Sequence, residues 1–284
     1  MRVTVLGGSG AFPEHGRGCS GYLIRHDGFA LLVDPGYATH LKLLEHVTVA
    51  EVGAVLVTHG HPDHCADLHP LLRSRAMSGV ADPLPVHAPA GALDAVLALD
   101  GPATLAGAYE LHDLPMPGRL EIGPIGVDTV PLPHFVPNAG VRLTAGGKSV
   151  AYTGDGGGRD AFVPLARGAD LLIAEATHAT ELPPRMAGNL GTAAEAGVLA
   201  ARAGAKALWL THLWPGSDHA EHLTAAGGSA AAGGSAAAAG SAAAGGSAAA
   251  AGSAAAGGSA AASAAACRFA GPVTVAVPDL DWEA

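Results

Sequence analysis

The stretch Thr58-His59-Gly60-His61-Pro62-Asp63-His64 decides how the rest of the chain is interpreted. It follows the apolar run 54–57, which predicts a buried strand, so the histidines are expected on the loop at that strand's carboxyl end. Three imidazoles and one carboxylate so close together are typical ligands of a borderline divalent ion, and zinc is the first candidate. The alternative, a loop of ordinary polar residues, is less favoured because four fixed residue types seldom coincide by chance.

The composition indicates one acidic globular chain with an unusual tract. The 284 residues carry a net charge of −10 and only 15 lysines and arginines. A protein that grips long nucleic acid usually presents a basic face, so long nucleic acid is disfavoured as a partner. Residues 225–266 contain only alanine, glycine and serine. We therefore predict a single domain over residues 1–284, interrupted by a low-complexity insertion at 225–266.

The insertion contains an internal repeat. Residues 233–244 and 245–256 are identical units of twelve residues. A glycine pair in each unit opposes a continuous helix, and the tract offers no side chain that could anchor it to a core. It is expected to be a mobile insertion outside the catalytic core.

The cysteines and the amino terminus indicate an intracellular environment. Cys19, Cys65 and Cys267 are too few and too scattered for a disulfide framework. Cys65 follows His64 directly, but a small residue packed at the start of a helix is favoured over a ligand. Residues 2–6 predict a strand, not a signal peptide, and no apolar run reaches membrane-spanning length. We expect a cytoplasmic protein without membrane contact.

Strands and helices alternate along both halves of the chain. Short apolar runs predict strands at 2–6, 22–25, 30–33, 54–57, 109–111, 126–130, 141–144, 149–152, 171–174, 207–210 and 272–277. Apolar residues at helical spacing predict helices at 39–47, 64–77, 92–99 and 192–203. This alternation favours sheets covered by helices.

Three further residues repeat the layout of the first motif. His134, Asp155 and His212 each follow an apolar strand, and each alone could be an ordinary loop residue. Their shared placement makes them candidate ligands. Asp34, at the end of strand 30–33, could orient a metal-bound histidine or could be a plain turn residue, and the sequence leaves both open.

In these motifs the chain resembles the metallo-β-lactamase superfamily, in the branch of ribonuclease Z and related phosphodiesterases. The motif at 59–64 matches the superfamily, and Thr-Gly-Asp at 153–155, Glu-Ala-Thr at 175–177 and Leu-Thr-His at 210–212 match the branch in order. The likeness covers residues 1 to about 223 and resumes at about 268. It implies a four-layer αββα sandwich, two mixed β-sheets flanked by helices, with the site at one edge of the sheets.

The resemblance also implies two metal ions. One zinc takes His59, His61 and His134. The other takes Asp63, His64 and His212, and Asp155 bridges them. Manganese or iron in their place would leave the mechanism intact. Two zinc ions about 3.5–4 Å apart lower the pKa of a shared water towards 7, which provides a nucleophile for phosphorus, and Asp63 would orient it as a catalytic residue.

The chain departs from the branch in two ways. Ribonuclease Z enzymes carry a protruding arm that grips transfer RNA, and no insertion here could form it. The branch also pairs its Glu-Ala-Thr glutamate with a histidine, thought to protonate the leaving group, just before the helix at Thr192. Glu175 is thus the second candidate catalytic residue, but Asn189-Leu190-Gly191 stands where the histidine is expected. The identity of the general acid stays open.

The leading hypothesis is a zinc-dependent phosphodiesterase that acts on a small or exposed phosphodiester, either a cyclic nucleotide or the 3′ end of an RNA. Hydrolysis of lactones or thioesters is the enzymatic alternative. A non-catalytic metal-binding regulatory protein is the alternative from another class. The expected partner is a small-molecule phosphodiester, and the oligomeric state stays open, with a homodimer as one candidate.

Overall fold

The computed structural model describes residues 1–101, 103–157, 159–227 and 269–284. Within these residues fifteen strands form two mixed sheets, one of eight strands and one of seven. Seven short helices lie on the outer faces. The element bounds follow sheet by sheet, numbered in chain order.

The first sheet joins an antiparallel half to a parallel half. Its strands are β1 (Arg2–Ser9), β2 (Gly18–Cys19), β3 (Gly21–His26), β4 (Phe29–Val33), β5 (Val52–Leu56), β6 (Leu84–Ala88), β7 (Tyr109–Asp113) and β15 (Asp281–Glu283). Their order is β15-β1-β3-β4-β5-β6-β7, and β2 pairs with β1. Strands β3 and β4 form an antiparallel hairpin, whereas β4 to β7 pair in parallel.

The second sheet has the same division. Its strands are β8 (Gly118–Ile122), β9 (Ile125–Leu132), β10 (Asn138–Ala145), β11 (Lys148–Tyr152), β12 (Leu171–Glu175), β13 (Leu208–Thr211) and β14 (Val273–Val275). They follow one another in chain order across the sheet. Neighbours from β8 to β11 are antiparallel, and those from β11 to β14 are parallel.

The helices cover the outer face of each sheet. They are α1 (His40–Leu43), α2 (Pro62–Cys65), α3 (Leu68–Met77), α4 (Asp94–Leu97), α5 (Val163–Ala166), α6 (Ala193–Ala203) and α7 (His219–Ala225). Helices α1 to α4 pack on the first sheet and α5 to α7 on the second. The predicted αββα sandwich is therefore confirmed in its layers.

Apolar residues fill the space between the sheets and beneath both helix layers. Between the sheets, the rings of Tyr22 and Tyr152 meet edge to face with centroids 5.0 Å apart. Beneath the second helix layer, the alanines of α6 allow a close approach to β12 and β13. Helix α6 begins at a capping box of Thr192 and Glu195 and ends at Gly204 in the left-handed region.

The predicted helix at 64–77 is wrong in one respect, because it is two helices. Helix α2 ends at Cys65, and α3 begins at Leu68. The amide of Asp67 donates to the carbonyl of Pro35 at 2.9 Å, and the Asp67 carboxylate accepts from the amide of His40 at 2.8 Å. Because of these contacts to the preceding loop, the helical hydrogen bonding is interrupted between Cys65 and Leu68. Cys65 is buried in the helix-side core, as predicted.

Other boundaries also differ from the prediction. Within the predicted helix at 39–47, only the four residues of α1 are helical. Within the predicted helix at 92–99, only the four residues of α4 are helical, and turns complete each segment. Strands β2, β6, β8 and β15 were not predicted from apolar runs. Strand β8 alternates half-buried and exposed residues, and β15 is a three-residue polar edge strand, so neither contains a continuous apolar run.

The predicted insertion at 225–266 lies outside the described residues except for its first three positions. Ala225 is the last residue of α7, and Ala226 is buried where its carbonyl meets Gly197 of α6. The folded chain therefore continues to at least Ala226, beyond the boundary drawn from composition. The location of the remaining tract outside the core stays a prediction. The longest described helix, α6, has 11 residues, and no described helix could cross a bilayer.

Deleting residues 228–262 should leave metal content and turnover unchanged. The six residues that remain before Phe269 can span about 20 Å. Closing a shorter loop costs less entropy, by about 0.6 kcal/mol per halving, so the free energy of unfolding should stay equal or rise slightly. Urea denaturation would measure the free energy of unfolding, elemental analysis the metal content, and an activity assay the turnover.

The control deletion of 226–262, which also removes the buried Ala226, should lower the free energy of unfolding. Loss of turnover in a folded 228–262 deletion would contradict the predicted domain boundary.

Candidate metal centre

Four loops deliver the predicted ligands to one edge of the sandwich. The motif at 59–64 follows β5 in the first sheet, whereas His134, Asp155 and His212 follow β9, β11 and β13 in the second. Strands β9, β11 and β13 run in the same direction, so their carboxyl ends meet at one edge. All seven predicted ligand residues are brought into two groups that could each hold a metal ion.

The first group consists of His59, His61, His134 and Asp155. The Nδ1 atom of His61 lies 3.1 Å from Nε2 of His59 and 2.9 Å from Nε2 of His134. The Oδ2 atom of Asp155 lies 3.8 and 3.7 Å from those two Nε2 atoms. Zinc ligands stand about 2.0–2.2 Å from the ion, so neighbouring donor atoms are about 3.3 Å apart. The observed spacing fits such an ion.

The second group consists of Asp63, His64, Asp155 and His212. The Nε2 atom of His212 lies 3.1 Å from Oδ2 of Asp63 and 3.2 Å from Oδ2 of Asp155. The Nε2 atom of His64 lies 3.2 Å from Oδ1 of Asp155. Asp155 is thus common to both groups, and its two oxygens could bridge two ions.

Two buried atoms of the second group support metal binding independently of the spacing. Among the described residues, Nε2 of His64 and Oδ1 of Asp155 have no hydrogen-bond partner. Buried polar atoms are nearly always paired, so each such exception calls for an explanation. A metal ion between these atoms would satisfy both.

The carboxylate of Asp34 contacts His64 of the second group on the side of the imidazole that faces away from the ligand atoms. Its fully buried carboxylate accepts hydrogen bonds from the Thr58 amide and hydroxyl, each at 2.7 Å, and from the Tyr152 hydroxyl at 2.8 Å. It also lies 2.8 Å from Nδ1 of His64. An ionised carboxylate only accepts, so Nδ1 of His64 carries a proton and Nε2 is the nitrogen that faces the metal site. The sequence left open whether Asp34 orients a histidine or is a plain turn residue. The structure shows the contact with the histidine.

The tautomer of His59 follows from the same reasoning about donors and acceptors. The Thr58 hydroxyl donates to Asp34, and its oxygen lies 3.1 Å from Nδ1 of His59. Since that hydroxyl hydrogen is already used, its oxygen accepts from Nδ1 of His59. Nε2 of His59 is left with a lone pair that faces the first group.

The two histidines of the second sheet are oriented by backbone and hydroxyl acceptors. Nδ1 of His134 lies 2.8 Å from the carbonyl oxygen of Asn189, so it must donate. Nδ1 of His212 lies 3.0 Å from the hydroxyl of Thr177, which itself donates to Glu175 at 2.6 Å. Both imidazoles therefore point Nε2 at the metal site. His61 differs, because it approaches the first group through Nδ1.

Glu175 lies behind the ligand groups and touches neither of them directly. Its buried carboxylate accepts from the Thr177 hydroxyl, from the amide of Gly156 at 2.7 Å and from the amide of Gly191 at 3.0 Å. Burial and the nearby charge of Asp155 raise the pKa of Glu175 to about 7. The structure thus gives Glu175 a positioning contact with His212 through Thr177. Its catalytic role stays a prediction.

Arg159 fills space beside the position of the missing histidine. Its guanidinium lies where a side chain on Gly191 would project, donates to the Glu175 carbonyl at 2.6 Å and lies 3.9 Å from the Glu175 carboxylate. Sequence reasoning missed Arg159. The signal that could have found it is Gly191, because only a residue without a side chain leaves room for the arginine.

The histidines of the first group stay neutral, whereas the carboxylates of the second group attract positive charge. Burial lowers the pKa of His59, His61 and His134, so these imidazoles stay neutral and keep their lone pairs. Burial also lowers the pKa of His212, but the charges of Asp155 and Asp63 outweigh it and raise the pKa to about 9. Carboxylates that attract a proton so strongly would also attract a divalent ion, which would displace that proton.

The comparisons with known proteins agree with this geometry. Residues 30–213 match the family model described as "Beta-lactamase superfamily domain". The chain belongs to the metallo-β-lactamase superfamily. It is 33% identical to the "Probable metallo-hydrolase YhfI" of Bacillus subtilis over 75% of this chain and 87% of that protein. The crystal structure of YhfI superposes with a TM-score of 0.78 at 27% identity and covers 99% of both chains.

Ribonuclease Z proteins are also among the relatives. The chain is 31% identical to "Ribonuclease Z" of Halobacterium salinarum over 75% of this chain and 87% of that protein. The crystal structure of the short form of human tRNase Z has a TM-score of 0.65 at 26% identity and covers 76% of this chain and 93% of that one. The resemblance drawn from the motifs is confirmed, and the chain is a metallo-hydrolase of this fold with candidate metal-binding residues in place.

Replacing Asp34 with asparagine should weaken metal binding about 10- to 100-fold, the usual effect of losing a carboxylate behind a ligating histidine. The matched change Tyr152→Phe removes one donor to the same carboxylate but leaves its contact with His64. It should cost about 1 kcal/mol of unfolding free energy and change affinity by less than about threefold. Competition with a chromophoric chelator would measure affinity, and circular dichroism would verify folding. Unchanged affinity in a folded Asp34→Asn protein would contradict this role.

Proposed function

We propose that this chain is a dinuclear zinc phosphodiesterase that cleaves a small or exposed phosphodiester, either a cyclic nucleotide or the 3′ end of an RNA. The observation that carries the proposal is the pair of ligand groups that share Asp155. Two-metal sites suit phosphoryl transfer because they stabilise both the attacking and the leaving oxygen. Zinc is favoured because five of the seven candidate ligands are imidazoles.

The chain's own residues would prepare the reaction. When bound, the two ions would supply an activated water and neutralise charge on the phosphate. Asp63 is buried but is the least buried member of the second group, and its Oδ2 atom accepts from the amide of Ala11 at 2.8 Å. That amide fixes the carboxylate so that Asp63 can bind an ion and orient the attacking water. Asp34, Thr58 and Thr177 keep the imidazoles in the tautomers that bind metal.

Charge supports a small substrate over a long one. The net charge of −10 would repel a polyanion at long range, whereas a single phosphodiester needs only the local field of the ions. The names of the ribonuclease Z relatives keep an RNA 3′ end as the second substrate class. We therefore place a cyclic nucleotide first.

One substrate panel separates the three readings. Zinc-loaded protein is assayed with bis-p-nitrophenyl phosphate, 3′,5′-cyclic AMP, a precursor transfer RNA, and a set of lactones and thioesters. Turnover of the phosphodiesters supports the proposal. Turnover of lactones or thioesters alone identifies a carboxylic ester hydrolase. Tight metal binding without turnover of any of them identifies a non-catalytic metal-binding protein.

Replacing the shared carboxylate should disable both ions together. Asp155→Ala is expected to lower turnover by at least about 1000-fold, because loss of a bridging ligand removes one ion and misplaces the other. Metal content should fall from about two equivalents per chain. The control Asp160→Ala changes an exposed aspartate nearby that pairs with Arg202 and should have no effect. An Asp155→Ala protein that keeps two ions and near-normal turnover would show that the bridge is assigned wrongly.

The missing histidine should make turnover depend on the leaving group. Without a proton donor beside Glu175, bis-p-nitrophenyl phosphate should turn over far faster than an unactivated phosphodiester, because nitrophenolate leaves without a proton. Asn189→His or Leu190→His should recover about 10-fold or more on the unactivated substrate alone. Steady-state rates on the two substrates give the ratio. No gain from either variant would indicate that another group supplies the proton.

A further inference from the structure

Two phenylalanines remain exposed beside the metal centre. Phe12 is 49% exposed and follows Ala11, whose amide donates to Asp63. Phe135 is 54% exposed and follows His134, whose ring centroid is 5.2 Å from its own. Each ligand group thus has a solvent-facing aromatic ring close by. Exposed large apolar side chains grouped around a site often mark a binding surface.

The loop that carries Phe12 is fastened to the second ligand group. Its Gly10 amide donates to the Leu213 carbonyl at 2.9 Å, and a side chain on Gly10 would lie 2.7 Å from Nδ1 of His212. Ala11 has a φ of 60°, a conformation that an alanine adopts only when its surroundings impose it. The contact with Asp63 accounts for this strain. The loop therefore holds the backbone of Phe12 at a fixed place next to the second ligand group.

A second aromatic residue backs Phe12. The ring of Trp214 meets that of Phe12 edge to face, with centroids 6.0 Å apart and an interplanar angle of 85°. Trp214 in turn stacks on His178, with centroids 5.9 Å apart and an angle of 17°. The Trp214 amide also donates to the Thr177 carbonyl at 3.0 Å. Phe12 is the exposed end of a cluster of three rings, and Trp214 in this cluster is hydrogen-bonded close to His212.

A rigid, exposed ring beside a phosphodiesterase centre suits a planar group of the substrate. Bases stack on aromatic side chains irrespective of their sequence, because each base has a π-face. The acidic charge of the chain disfavours a substrate with many phosphates, so a single base is expected. From this geometry we infer that Phe12, backed by Trp214, binds the base of a nucleoside phosphodiester and so determines specificity. This inference rests on the proposed phosphodiesterase activity.

Two substrates with the same leaving group isolate this contact. Bis-p-nitrophenyl phosphate carries a second planar group, whereas methyl p-nitrophenyl phosphate carries only a methyl group. The measured quantity is the ratio of kcat/KM for the first over the second. Phe12→Leu keeps an apolar side chain but removes the ring, so the ratio should fall about tenfold, chiefly through KM.

Two further variants control the experiment. Phe12→Tyr retains the ring and should keep the wild-type ratio. Leu41→Ala removes an exposed apolar side chain of α1 that is 76% exposed, and the ratio should not change. A Phe12→Leu protein with an unchanged ratio would overturn the inference. Equal losses on both substrates would also overturn it, because they would show that the loop only supports the metal centre.

A binding measurement separates this inference from the proposed function. Calorimetry gives the affinities for AMP and for ribose 5-phosphate, which differ only by the base. The preference for AMP should fall about tenfold in Phe12→Leu, whether or not the protein hydrolyses phosphodiesters. If no phosphodiester is turned over but this preference falls, the proposed function fails and the base-binding role stands. An unchanged preference overturns the base-binding role.

Discussion

The buried carboxylate of Asp34 is the contact on which the site depends. It lies at the end of β4 with a φ of 49° and accepts from Thr58, at the end of β5, and from Tyr152, at the end of β11 in the opposite sheet. A buried charge without partners would cost several kcal/mol, so the positions of these donors are tightly constrained. One side chain thereby fixes the relative positions of both sheets, directly at His64 and through Thr58 at His59.

The orientation of the ligands follows from acceptors placed behind them. A carboxylate, a hydroxyl already committed as a donor, or a backbone carbonyl faces the Nδ1 atom of four histidines: His59, His64, His134 and His212. Each acceptor binds the proton on Nδ1, so the Nε2 atoms converge on the site before any ion binds, and an ion would displace the further proton that His212 holds there. In the second group the surrounding carboxylates also supply excess negative charge. The fold therefore prepares both the geometry and the electrostatics for a cation.

The sequence predicted which residues converge, because each of them follows an apolar strand and the carboxyl ends of parallel strands meet at one edge. It could not decide the role of Asp34, because that role depends on a contact with His64, which lies 30 positions away in the chain. It missed Arg159 for a similar reason, since the arginine acts through space left by Gly191. It missed β8 and β15 because edge strands need no apolar run. The break between α2 and α3 depends on the tertiary contacts of Asp67 and was equally invisible.

The contacts of Glu175 explain how the chain can lose a histidine yet keep its ligands. The Thr177 hydroxyl donates to Glu175 and must therefore accept from His212, so the glutamate sets the tautomer of a metal ligand. This duty needs no proton transfer to the substrate. Arg159 and two backbone amides hold the carboxylate in place without any imidazole partner. Orienting His212 therefore requires only the Glu175 carboxylate, whereas the acid catalysis that the resemblance implies for the Glu-Ala-Thr motif would also require the histidine that is absent.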